Sequence, residues 1–178
     1  MLYHETTLHG AYLLEPQPAF DERGYFSRVW CSDELVDRGL NATWVQSSIS
    51  FNEKALTLRG MHYQAAPHAE VKLVRCTSGS VFDVIVDVRE DSETFRKWFS
   101  VELNPENNRV LYIPGGFAHG FLTLQDHSVL EYHMSEPYHP ECARNVRWDD
   151  PAFGIEWPSV PAVISDRDRN HADFTSAL

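Results

Sequence analysis

The stretch Val81-Phe82-Asp83-Val84-Ile85-Val86-Asp87-Val88 decides the fold class. Successive side chains of a strand point to opposite faces, so Phe82, Val84, Val86 and Val88 share one face while Val81, Asp83, Ile85 and Asp87 share the other. One face reads as packed and the other as mixed, a period of two that belongs to a strand and not to a helix. Outward from this segment the same period recurs over residues 98–103, 109–113, 117–124 and 129–134, with residues 104–108 and 125–127 as turns. Strands spaced by about 8 to 12 residues suit a sandwich or barrel rather than strand–helix–strand units. A single segment, residues 33–38, carries helix punctuation: Ser32 as N-cap, acids in the first turn and Gly39 as stop. The tail from Asp149 onward holds Pro151, Pro158 and Pro161, which predicts turns and a short helix wrapped around the barrel.

The chain has 178 residues, of which 43% are hydrophobic and 23% charged. At roughly 100 to 200 residues per domain this predicts one domain, 1–178, with enough apolar material for a core. The formal net charge of -11 repels nucleic acid and anionic membrane surfaces, so neither is expected as a partner. An anionic small molecule then needs a local cluster of cations. Cys31, Cys76 and Cys142 are odd in number and form no CxxC pair, which reads as reduced thiols in a cytoplasmic protein. Residues 1–16 lack the basic start and apolar run of a signal peptide, and nothing approaches a run of about 18 apolar residues.

Two glycine-punctuated, histidine-bearing segments carry the chemistry: Leu58-Arg59-Gly60-Met61-His62-Tyr63-Gln64 and Ile113-Pro114-Gly115-Gly116-Phe117-Ala118-His119-Gly120-Phe121. They resemble the two signature motifs of cupin barrels, which implies an all-β, double-sheet jelly roll with a ligand in its mouth. Metal-binding cupins place two histidines one residue apart on the first motif; here the pair is His62 and Gln64. An amide for an imidazole leaves His62, His119 and Glu70 as a poor transition-metal set, so no metal and no cofactor are expected. A metal-dependent cupin oxygenase or isomerase using His62, Gln64, Glu70 and His119 is the remote alternative.

A wider set of motifs appears in order. It comprises Asp21-Glu22-Arg23-Gly24-Tyr25-Phe26, Gln46 with Ser50, the Arg59 segment, Lys72-Leu73-Val74-Arg75, Val81-Phe82-Asp83-Val84, Ser92 with Thr94-Phe95, the Pro114 segment, Tyr138 with Pro140, Trp148-Asp149-Asp150-Pro151, and Ser165 with Asp168. Running from about Leu8 to Asp168, this resembles the dTDP-4-dehydrorhamnose 3,5-epimerase family. The resemblance implies an isomerase that inverts C3, C5 or both in a nucleotide-linked 4-keto-6-deoxy sugar, in rhamnose-type biosynthesis. It implies His62 as base, Asp168 as its orienting carboxylate, Lys72 as stabiliser of the enolate oxygen and Tyr132 as acid. Arg23, Arg59 and His119 match positions near the diphosphate or sugar, and Gln46, Phe20 and Phe26 resemble nucleoside contacts, some delivered across a homodimer. Tyr138 is a further aromatic of the binding site and the second candidate for the acid.

The chemistry asks for such residues. A proton beside a ketone needs a positioned base, a group to hold charge on the carbonyl oxygen, and an acid on the opposite face. Strand alternation places Lys72 with Val74 and Cys76, and Leu130, Tyr132 and Met134 together on one face. Each residue has a plainer reading: a core histidine, an edge lysine, packing tyrosines, a charged turn at Asp166-Arg167-Asp168-Arg169, a local Arg23 ion pair. Two positions depart from the family pattern, Arg28 where a glutamate is common and Ser48 where an asparagine is frequent. Both bear on which nucleoside is bound, and the sequence leaves open a C3-only or C5-only enzyme or a keto-isomerase.

Overall fold

The computed structural model describes residues 1–174. Its strands are β1 (Leu2–Glu5), β2 (Tyr12–Glu15), β3 (Ala19–Asp21), β4 (Gly24–Phe26), β5 (Gln46–Asn52), β6 (Thr57–Gln64) and β7 (Lys72–Ser78). They continue with β8 (Val81–Asp87), β9 (Trp98–Leu103), β10 (Val110–Ile113), β11 (Phe117–Thr123), β12 (Ser128–Met134), β13 (Ala143–Asn145) and β14 (Val163–Ile164). Two short helices, α1 (Ser32–Val36) and α2 (Asp166–Arg169), complete the order. One sheet runs β1-β2-β10-β7-β12-β5 and a second runs β13-β6-β11-β8-β9, with β14 added in parallel to β6. The hairpin β3-β4 pairs only with itself. The two sheets fit the sandwich or barrel that the strand spacing predicts, in the double-sheet jelly-roll form that the cupin-like motifs imply.

Apolar residues from both sheets meet between them: Val74, Leu111 and Leu130 from the first, Val81, Ile85 and Phe121 from the second. The outer faces are covered as well. Leu35 of α1 and Trp30 pack over Leu73 and Tyr112, while Phe153 and Trp157 of the tail pack over Met61, Val84 and Val86. The proline-rich tail therefore wraps the barrel as its composition predicts.

Two local details are decided by the structure. On β8 the mixed face, with Val81, Asp83 and Ile85, is the one turned into the barrel, and the all-apolar face is turned toward the tail. A strand covered on both sides buries both faces, so the carboxylates do not mark solvent. The helix spans Ser32–Val36 and Cys31, not Ser32, stands at its N-cap without a side-chain bond. Its end does follow the expected stop: Gly39 takes φ +68 and the Leu40 N–H reaches the Leu35 carbonyl at 3.0 Å.

β6 and β11 approach more closely than side chains allow. A Cβ on Gly60 would stand 2.5 Å from the Gly120 Cα, and Gly60 has φ +133. Overpacking against backbone and a backbone conformation reserved for glycine both oppose substitution. Gly60→Ala is expected to cost roughly 2–5 kcal/mol, read as a lower urea midpoint at unchanged slope. A midpoint equal to wild type would show that the strands can separate without cost.

Candidate active site

Between the sheets opens a cavity of about 560 Å³ lined by Arg59, His62, Lys72, His119, Tyr132 and Asp168. The first sheet supplies its side chains by simple alternation. Register sets Lys72 of β7 opposite Met134 of β12, Val74 opposite Tyr132, and Tyr132 opposite Ser48 of β5. Lys72 is thus turned inward, as its alternation with Val74 and Cys76 predicts, and is almost wholly buried.

The second sheet needs a distortion. His119 of β11 pairs with His62 of β6, yet Phe121 pairs with Arg59, so β6 carries one residue more than its partner between the two pairs. Strict alternation would send Arg59 and His62 to opposite faces; the bulge turns both into the cavity. Arg59 is fixed there by Asn52, whose Oδ1 accepts from Nε at 2.8 Å.

The tail closes the site. β14 lies along Thr57 and Leu58, and Ser165, accepting from the Asp168 N–H at 3.1 Å, caps α2. Asp168 is thereby buried with Oδ1 2.8 Å from His62 Nε2, while Asp166 faces solvent. Burial raises the Asp168 carboxyl, but hydrogen bonds and charge from His62 and the Gly60 N–H outweigh it and hold the group below its usual range. Since its folded value is depressed, the stability it confers is present above the unfolded value of about 3.9 and is lost as pH falls through the folded one. Asp168 is an anion throughout the neutral range.

Tyr132 is pushed the other way. Burial, and next the nearby Asp83 carboxylate, raise its phenol far above the ordinary value, with the Arg59 charge acting in opposition. It holds its proton at neutral pH. Beside it stands a second histidine–carboxylate pair: His119 Nε2 lies 3.0 Å from both oxygens of Asp83, and its ring meets Tyr132 edge-on at 5.9 Å. Lys72 Nζ lies 3.0 Å from Glu70 Oε1 and donates to the His62 carbonyl at 3.3 Å.

A smaller cleft of about 320 Å³ shares Ser48, His62 and Met134 with the main cavity and is lined by Gln46, Tyr138, Arg144 and Arg167. Gln46 is held by its Nε2 donating to the Glu136 carbonyl at 2.8 Å. The structure therefore gathers His62, Lys72, Tyr132, Asp168, Arg59 and His119 in one place, with Gln46 and Tyr138 next to it. It does not bring Arg23, Phe20 or Phe26 there within one chain. They lie on the free hairpin β3-β4, where Arg23 closes on Asp21 and the two phenylalanines are 74% and 79% exposed. Arg28 is likewise apart, facing Glu34.

The cupin metal set is not supported by its own side chains. Gln64 donates to the His68 and Pro137 carbonyls and accepts from the His139 N–H, and Glu70 faces Lys72. Sequence reasoning passed over Asp83 and Asn52 as members of this site, and it weighed Glu70 only as a metal ligand, whereas Glu70 faces Lys72. For Asp83 a signal was present, because a carboxylate inside an apolar strand needs a partner when buried.

A family model described as dTDP-4-dehydrorhamnose 3,5-epimerase matches residues 5–176. A protein of that name from Sinorhizobium fredii is 43% identical over 94% of this chain and 87% of its own length. The crystal structure of dTDP-4-dehydrorhamnose 3,5-epimerase from Bacillus anthracis with TDP and PPi bound superposes with a TM-score of 0.93 at 38% identity, covering 97% of this chain and 99% of that one. A 3'-monoepimerase from Streptomyces bikiniensis in complex with dTDP-quinovose superposes at 0.89 with 32% identity, covering 96% and 86%. A match over nearly the whole chain, joined to a cavity holding a His–Asp pair, a buried lysine and a protonated tyrosine, means that the chain belongs to the dTDP-4-dehydrorhamnose 3,5-epimerase family.

Proposed function

We propose that this chain inverts both carbons flanking the keto group, C3 and C5, of a dTDP-linked 4-keto-6-deoxy sugar in rhamnose-type deoxysugar synthesis. One observation carries the reading: His62 and Tyr132 enter the same cavity from opposing sheets. A sugar ring held between them meets a base on one face and an acid on the other. His62, oriented by Asp168, takes the proton beside the ketone, and the freed electron pair moves onto the C4 oxygen. Lys72, a compact charge, holds that oxygen. Tyr132 returns a proton to the opposite face, leaving a phenolate that Arg59 offsets, and solvent resets both groups. These side chains and water account for every proton moved.

Locating deuterium at C3, C5 or both after turnover in heavy water tests the reading. Incorporation at C3 alone would replace it with single-position inversion, for which the likeness to a 3'-monoepimerase is the specific support. Arg59 and His119 serve the anionic handle and sugar, and Gln46 and Tyr138 the nucleoside side. Arg59→Ala is therefore expected to raise KM more than it lowers kcat, in steady-state assays across substrate concentration. An unchanged KM would remove Arg59 from binding.

The chain acts, on this reading, as one domain over 1–178 and as a homodimer in the cytoplasm. β5 lies at a sheet edge with Ile49 and Phe51 exposed, and Phe20 and Phe26 stand out on their hairpin, an apolar surface suited to a second copy. A partner's hairpin is then the route by which Arg23, Phe20 and Phe26 reach a nucleoside. Light scattering at micromolar concentration is expected to give twice the chain mass of 20.4 kDa; a monomer would count against it. No helix among the described residues is long and apolar enough to cross a membrane, and the three cysteines are free thiols.

A further inference from the structure

Around Gln64, which lines the smaller cleft and bonds the backbone of His68 and His139, lies a group of side chains that the proposed reaction does not use. Among the described residues, His68, Glu136 and His139 are the set of metal-ligating groups whose donor atoms converge, all within 4.8 Å of one another. We propose that they form a divalent transition-metal site of the zinc class, tying the loop after β6 to the segment after β12 that carries Tyr138.

The distances favour a shared ion. His68 Nδ1 lies 3.2 Å from Glu136 Oε2. Two atoms each bonded at roughly 2.0–2.1 Å to one tetrahedral ion stand about 3.3–3.4 Å apart, so this pair is already close to the required edge. His139 Nδ1 has a carboxylate too, Glu141 Oε1 at 3.1 Å, which stands outside the converging donors and orients the ring when its other nitrogen holds the ion. The two imidazoles are stacked, with centroids 3.5 Å apart and planes 8° from parallel. Parallel rings do not aim their lone pairs at one point. Binding has to rotate one ring about its outer torsion, a soft one.

The scaffold beneath is built. The buried Gln64 side chain donates to the His68 carbonyl at 3.2 Å and the Pro137 carbonyl at 3.1 Å, and accepts from the His139 N–H at 2.6 Å. One amide thus fixes the backbone of both loops that carry the donors, and Gln46 adds a hold on the Glu136 carbonyl at 2.8 Å. Supporting hydrogen bonds of this kind position ligands for a metal. Imidazole and carboxylate donors without thiolate select zinc, nickel, cobalt or copper(II) over magnesium or copper(I). Side-chain exposures of 35% for His68, 35% for Glu136 and 28% for His139 leave an ion a path in while keeping it partly sheltered. The chain's net charge of -11 favours a cation.

The test uses the full chain stripped with chelator and titrated with Zn²⁺ by calorimetry, and with Co²⁺ by visible absorption. One equivalent is expected to bind with a Kd of about 10 μM or tighter, with cobalt bands of a low-coordinate site. His68→Ala and His139→Ala are each expected to weaken binding by at least ~100-fold, more than the loss of an outer-shell partner costs. Failure to take up an equivalent, or undiminished binding in the His68→Ala/His139→Ala double variant, would overturn the site. Anomalous diffraction from zinc-soaked wild-type crystals gives a readout free of any folding defect: a peak bonded to both His68 and His139 is expected, and one placed elsewhere removes the proposal.

Discussion

In heavy water, His62→Ala is expected to leave the substrate fully protiated and uninverted, whereas Tyr132→Phe still washes deuterium in without inversion. The difference follows from the order of events. Without the imidazole no carbon acid is ionised, so neither exchange nor epimerisation proceeds. Without the phenol the enolate still forms and is reprotonated from the face it left, which exchanges the hydrogen and preserves the configuration. Each residue is worth roughly 10² to 10⁴ in rate as a general base or acid, or about 3–5 kcal/mol of barrier. Mass spectrometry of the recovered sugar reads exchange, and NMR reads configuration. Asp168→Asn is expected to behave as a weaker His62 lesion, since the ring remains but loses the carboxylate 2.8 Å away. Near wild-type inversion by Tyr132→Phe would move the acid elsewhere, with Tyr138 next in line.

Lys72→Met is expected to remove about 10² to 10³ of turnover and, separately, to weaken the fold. The first loss comes from the charge that meets the developing enolate oxygen. The second comes from Glu70, whose side chain is only 10% exposed and faces Lys72 Nζ at 3.0 Å. Removing one member of a mostly buried pair leaves the other desolvated and uncompensated, which typically costs about 3–5 kcal/mol. The two effects separate in a double variant. Lys72→Met/Glu70→Gln is expected to recover most of the urea midpoint and none of the turnover. Recovery of both would reduce Lys72 to a packing role, and recovery of neither would mean that the lysine supports the fold through its bond to the His62 carbonyl instead.

What the sequence by itself determined is whatever depends on a strand's own geometry. The period of two over residues 81–88 marks a strand, and alternation from Lys72 through Val74 to Cys76, or from Leu130 through Tyr132 to Met134, says which side chains travel together. Those groupings hold because adjacent side chains of a strand point apart whatever the rest of the chain does. The family resemblance that the ordered motifs carry implied His62, Lys72, Tyr132 and Asp168, and the structure brings all four to one cavity.

Only the tertiary structure decided the remainder. Alternation separates Arg59 from His62, and the extra residue of β6 opposite β11 reunites them. A bulge is a property of two paired strands, here strands that approach at Gly60 and Gly120 from distant parts of the chain. The choice of Asp168 over Asp166 depends on β14 lying along β6, and the inward turn of Asp83 on His119 arriving from β11 to meet it. Hairpin β3-β4 carries family-like residues yet stands clear of the cavity in the single chain, because nothing in its own pattern specifies what it packs on. Local pattern sets the direction of a side chain relative to its own strand; which partner it then meets is set by register and chain path, and these are energies shared between residues far apart in sequence.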